Sequence, residues 1–204
     1  STDWKVLEQQ YPDARKTYLS NIDLDLSREF HKRYQEEQNA KREAYYKDVV
    51  YGNFNRIKTM IKAGKFPGEA IIGIDDKNFV SSLSDCELDN SRIIVTLLHY
   101  DYPISEIGEQ VFIKAIENGA LHPREFATIY NFEKTKVSVL YKKSTKKHAE
   151  LPDYQFNFPF GPVSADLKKV SSDRWEFGIC KEEVDQKKAA ICKKHGMKLD
   201  FGYR

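Results

Sequence analysis

The sequence predicts a mainly α-helical fold with a small β element, an α+β chain whose core is a set of packed antiparallel helices. Three observations predict it. Apolar residues recur at helical spacing between Val50 and Ile129, Gly and Pro punctuate those segments at their ends, and the apolar period shortens to two after Asn131.

From Trp4 to Tyr46 the chain is very polar. Ser27 is placed to N-cap a long helix with a sparse stripe of Phe30, Tyr34, the Lys41 stem and Tyr45, the pattern of a surface helix. The next segment is a stronger amphipath, with Val50, Phe54, Ile57 and Ile61 at i, i+4, i+7 and i+11, ended by Gly64 and Pro67. Residues 66 to 88 read as an irregular connection in which Ala70-Ile71-Ile72-Gly73-Ile74 forms a short buried strand or a packed turn.

Asp89, Asn90 and Ser91 then offer N-caps for a helix carrying Ile93, Ile94, Leu97 and Leu98 up to His99-Tyr100-Asp101. Ser105 caps the following helix, Glu106 and Glu109 favour its positive end, and Val111, Phe112, Ala115 and Ile116 face inward up to Gly119. These two core helices are expected side by side, and Pro123 starts a third, short helix with Phe126 and Ile129.

After Asn131, Val137, Val139 and Tyr141 alternate with polar or smaller residues, and Phe156, Phe158 and Phe160 alternate around Asn157 and Pro159. The pattern predicts a small sheet or hairpin, with Pro159 and Pro162 confining its second run to an edge strand or extended arm. A last helix from about Glu182 to His195 buries Val184, Ala189, Ile191 and Cys192 and stops at Gly196. The expectation is a single domain: a polar helical arm over 1–48, a helical core over 49–131 and a strand-containing part over 132–204.

Hydrophobic residues make up 40% and aromatics 13% of 204 residues, enough apolar surface for a packed core, which excludes a disordered chain. Apolar runs such as Ile93-Ile94-Val95 fall far short of the roughly 18 residues that span a bilayer, so no membrane span is expected. The start, Ser1-Thr2-Asp3-Trp4, carries neither an initiator Met nor a signal pattern, so the N-terminus reads as trimmed and leaves the location open between cytoplasm and periplasm. A net charge of +2 is too small to imply nucleic acid. It is unevenly spread, because residues 133–204 carry 16 Lys and Arg against 10 Asp and Glu.

Cys86, Cys180 and Cys192 show no metal-binding spacing, so no metal site is expected; they read as structural thiols, with a Cys180–Cys192 bridge open in an oxidising compartment. No glycine pattern supports a nucleotide site, and no cofactor is expected. His99 and Asp101 are the candidate catalytic residues, since a helix C-terminus stabilises an imidazolium and a nearby carboxylate orients the ring. Residues two apart do not face each other on a helix, so a capping or core-bridging role competes.

Phe54-Asn55-Arg56-Ile57-Lys58, Gly64-Lys65-Phe66-Pro67, Ile72-Gly73, Leu97-Leu98-His99-Tyr100-Asp101 and Ile116-Glu117-Asn118-Gly119-Ala120-Leu121-His122-Pro123 follow one another across residues 54 to 130. In that order they resemble a family of bacterial proteins catalogued only as a domain of unknown function, in which Gly-Trp-Pro leads to Val-Gly and His-Ala-Asp follows an apolar helix. Here Phe66 stands for the Trp, Asn131-Phe132 stands where the family carries Asp-Arg, and Leu140-Tyr141-Lys142-Lys143 lies near its Tyr-Gly-Thr-Gln segment. The resemblance implies helices over 50 to 131 and matches His99 and Asp101, but brings no activity with it.

Two functions compete. The first is a protein-binding module, most concretely an immunity-type inhibitor of a bacterial toxin or effector, with Tyr154, Phe156 and Phe158 as anchors beside the basic run of Lys142, Lys143, Lys146 and Lys147. Against that placement, Phe156, Phe158 and Phe160 read more readily as residues that fill the core. The second is a hydrolase-like enzyme with His99 and Asp101 in a pocket between helices.

Overall fold

The computed structural model describes residues 4–73, 93–140, 151–157 and 163–194, and every regular element among them is helical. They form two compact units, Ser1–Thr96 and Leu97–Arg204. The division falls between Thr96 and Leu97, whereas the sequence suggested one domain with internal boundaries after residues 48 and 131.

In the N-terminal unit, α1 (Trp4–Ser20) precedes α2 (Leu24–Ala40) and α3 (Tyr46–Lys62). The cap of α2 is Asp23, whose carboxylate accepts the Leu26 amide at 2.9 Å, and Ser27 lies buried inside the helix. The expected longer helix ends at Ala40, and Tyr45 is exposed beyond the turn, so the stripe through Lys41 and Tyr45 is not a helix face. α2 packs on α3, and Phe30, Ala40, Val50, Phe54, Ile57 and Met60 are buried. Gly64, at φ 79°, closes α3 in the left-handed conformation, while the Lys65 amide reaches back to the Met60 carbonyl at 3.0 Å.

The segment read as a strand or turn at 70–74 is helical where it is described, as α4 (Glu69–Ile72). Extended Gly68 leads into it and accepts the Ile72 amide at 3.0 Å, so the backbone is satisfied locally and needs no ladder partner. The Ile71 carbonyl in turn takes the Asp23 amide at 2.9 Å, tying α4 to the start of α2. Cys86 and the expected caps Asp89, Asn90 and Ser91 lie outside the described residues.

α5 (Ile93–His99) carries the boundary between the units, and α6 (Pro103–Ile107), α7 (Glu109–Glu117) and α8 (Pro123–Leu140) follow. The helix expected from Ser105 to Gly119 is broken by Gly108 at φ 98°. Pro103 opens α6 at its first turn, and Ser105 is not its cap. The acceptor there is Glu133 from α8, which takes the Ile104 amide at 2.6 Å and the Ser105 amide at 3.0 Å.

The strand expected from Val137 to Tyr141 is overturned as far as it is described, because α8 runs on to Leu140. No Gly or Pro interrupts residues 124–140, and a helix already nucleated propagates through two β-branched residues at a cost of only about 0.5 kcal/mol each. Residues 151–157 are an irregular arm, and no strand occurs among the described residues. α9 (Leu167–Glu176), which the sequence reading passed over, is capped by Asp166 accepting the Lys169 amide at 3.1 Å. α10 (Glu182–Lys194) keeps its expected bounds, but Val184, Ala189 and Ile191 are exposed and only Cys192 is buried among the four apolar residues expected inside.

Candidate functional site

In the C-terminal unit the arm 151–157 lies against α8 through aromatic rings. Tyr130 meets Phe156 edge-on at 5.5 Å, Phe126 stacks on Phe177 at 5.0 Å, and Tyr154 meets Phe177 edge-on at 4.9 Å. Such pairs contribute about 0.5–1.5 kcal/mol each beyond the area they bury. Phe156 is only 1% exposed, so it is a core residue and not the surface anchor read from the sequence. Tyr154 is half-buried in the same cluster. Phe158 and the basic run Lys142, Lys143, Lys146 and Lys147 lie outside the described residues.

The Tyr130 hydroxyl donates to the Pro152 carbonyl and accepts from the Tyr154 amide at 3.0 Å and from Lys134 Nζ at 3.2 Å. Lys134 also pairs with Asp153. Burial lowers the Lys134 ammonium's pKa, yet bonds to Asp153 and Tyr130 more than offset this and hold it above the usual lysine value. The same ammonium keeps Asp153 below the usual carboxylate range. Burial, with Glu109 next in weight, pushes the Tyr154 phenol well above its ordinary value.

A second cluster joins α8, α9 and α10. Asp185 accepts from Arg124 at 2.5 Å and from Arg174, while Arg174 also donates to the Cys180 carbonyl at 2.8 Å and the Phe156 carbonyl at 2.9 Å. Burial opposes ionisation of Asp185, but the Arg124 and Cys180 bonds and both guanidinium charges outweigh it, so its pKa lies below the usual value. Cys180 and Cys192 are free thiols, so the disulfide left open by the sequence is not formed. The Cys180 thiol donates to Asp185 at 2.9 Å and accepts from Arg124 at 3.1 Å.

These bonds hold α9 by its buried face and leave Trp175 on the other side, 75% exposed. Leu167 on the same helix and Ile191 on α10 are also exposed large apolar groups. No family model, curated protein or solved structure matches the chain. Lys168, Lys181, Lys187 and Lys188 are exposed on or beside α9 and α10, as are Asp166, Glu176 and Glu183, so the exposed charge of these two helices is mixed with lysine in excess.

His99 ends α5 and Asp101 follows it, both half-buried, and neither lines the pocket formed by the arm and α8. Among the described residues, no group of three or more His, Cys, Asp or Glu is placed to hold a metal ion. The polar centre of the N-terminal unit was not anticipated. Glu37, fully buried, accepts from Asn53 at 2.9 Å and from Thr96 at 2.7 Å, and burial together with that carboxylate's charge pushes the Tyr46 phenol up to about 12. Beside it Arg56 grips both oxygens of Glu29 at 2.8 Å and, with help from Arg33 and against partial burial, holds its carboxyl down at about 2. Glu29, Arg33 and Glu37 recur every four residues on α2, the one sequence signal that marked a polar seam facing α3.

Proposed function

We propose that this chain is a protein-binding module, most concretely an immunity-type inhibitor of a bacterial toxin, which docks an acidic surface of its partner through Trp175 and the lysines of α9 and α10. The observation that carries this reading is Trp175 itself. A large aromatic side chain left 75% exposed is unusual on a helix whose opposite face is pinned by buried Arg174, and Trp is among the residues most enriched at binding hot spots. Because the Arg174 bonds already order α9, little backbone entropy remains to be lost when the indole is covered. The excess of exposed lysine on α9 and α10 supplies steering toward a negatively charged partner and a salt-dependent association rate.

The test uses the full chain and the protein encoded by the adjacent gene, with affinity measured by titration calorimetry. Trp175→Ala is expected to weaken the complex by at least about 2 kcal/mol while the urea midpoint of the free chain stays unchanged. An unaltered affinity would refute this docking face. A His99→Ala variant that abolished a measurable turnover while keeping fold and partner binding would favour the hydrolase reading instead.

A further inference from the structure

Between α8 and the arm lies a pocket of about 220 Å³, walled by Asn131 and Lys134 on one side and by Asp153, Tyr154, Gln155 and Ser164 on the other, with Phe156 among its lining. We infer that it is a binding site for a single primary carboxamide group, free or carried on an asparagine or glutamine side chain.

Size sets the first limit. Sites for drug-sized ligands span about 300–1,000 Å³, so this pocket admits one residue-sized group. Charge sets the second. Lys134 and Asp153 are paired with each other at the pocket wall, so neither sign of ligand charge meets an uncompensated opposite charge there.

Hydrogen bonding selects the carboxamide. The Gln155 side chain lines the pocket, and its amide oxygen can only accept. That oxygen, Oε1, is buried and has no partner among the described residues. Two of the three N–H groups of Lys134 are directed to Tyr130 and Asp153, which among the described residues leaves one for an acceptor. The pocket therefore calls for a donor at Gln155 and an acceptor at Lys134. A primary carboxamide presents both on one planar group, and its carbon attachment suits the Tyr154 and Phe156 rings. The terminal torsion of a glutamine is soft, so a small turn brings Oε1 to the pocket and satisfies an acceptor that is costly to leave unpaired.

The experiment is a titration of the isotopically labelled full chain, read by NMR at the Gln155 side-chain amide and the Tyr154 backbone amide. The probes are acetamide, N-acetylasparagine methylamide, its aspartate counterpart and a methyl ketone. Saturable shifts with both amides, and binding at least about tenfold weaker for the carboxylate and the ketone, are expected because a site built around a polar pair rejects analogues that leave it unmatched. A tighter asparagine derivative assigns the group to a peptide, and equal or tighter acetamide assigns it to a small free amide. Gln155→Leu should remove the shift at Tyr154, and the probe ranking on the unaltered chain decides the matter if that variant does not fold. Absence of saturable shifts with either amide, equal affinity for amide and carboxylate, or only an ordered water detected at Gln155 would each overturn the assignment. Trp175→Ala should leave probe binding unchanged, so this site and the α9 docking face stand or fall separately.

Discussion

Replacing Asp185 by Ala should cost the C-terminal unit about 3–5 kcal/mol, the range seen when one member of a buried ion pair is removed. The magnitude follows from what the carboxylate compensates. Arg174 and Arg124 have side chains only 2% and 9% exposed, and Asp185 itself is 15% exposed, so water cannot replace the lost partner. Each charged hydrogen bond contributes about 1.5–3 kcal/mol, and two are lost together with the one from the Cys180 thiol. Arg174 keeps its bonds to the Cys180 and Phe156 carbonyls, which holds the loss below outright collapse of α9.

Two compact units need not unfold together, so the assay is residue-resolved hydrogen exchange across α8, α9 and α10 at increasing urea. A loss below about 1 kcal/mol would refute the reasoning, since it would mean that solvent reaches both guanidiniums. The pH dependence has a definite sign. The folded pKa of Asp185 lies below its unfolded value, so its contribution is complete above about pH 4 and disappears as pH falls through the folded pKa. The variant and the unaltered chain should converge in acid.

Leu97→Ala should cost about 2–5 kcal/mol in a urea melt, because Leu97 is fully buried and truncation leaves a cavity; a loss well under 1 kcal/mol would mean that Leu97 is reached by solvent. Glu133→Ala should destabilise by about 1–3 kcal/mol and raise exchange at the Ile104 and Ser105 amides first, since both lose their buried acceptor. Glu29 should titrate by carbon-detected NMR near pH 2; because its folded pKa is depressed, its stabilisation is complete above the ordinary glutamate value and fades as pH falls toward 2, and a midpoint above 4 would contradict the Arg56 grip.

The local grammar of the sequence was enough to place several elements. Val50, Phe54 and Ile57 at helical spacing marked α3 and its buried face, Gly64 marked its end, and Glu182 marked the start of α10. Each depends on neighbours within about four residues, where periodicity, capping and left-handed glycine act. Local signals also misled: Ser27 has the chemistry of a cap, but Asp23 holds that place, and the alternation at Val137 and Val139 has the period of a strand although an uninterrupted α8 carries them. No cap or turn residue in the chain says that a helix has already nucleated upstream.

What the sequence alone determined is a helix-rich chain with enough apolar residues to pack and apolar runs too short to cross a membrane; among the described residues no helix is long and apolar enough to do so. Which side chains go inside was decided by tertiary structure. Phe156 and Trp175 are both large aromatics in polar surroundings, yet one is 1% and the other 75% exposed. Arg174, Glu37 and Glu133 are charged residues that sequence reasoning assigns to the surface, and they are buried because partners far along the chain satisfy them: Phe156 lies 18 residues from Arg174, Thr96 lies 59 from Glu37 and Ile104 lies 29 from Glu133. A buried charge is tolerated only where such donors and acceptors converge, and that convergence exists only in the folded chain.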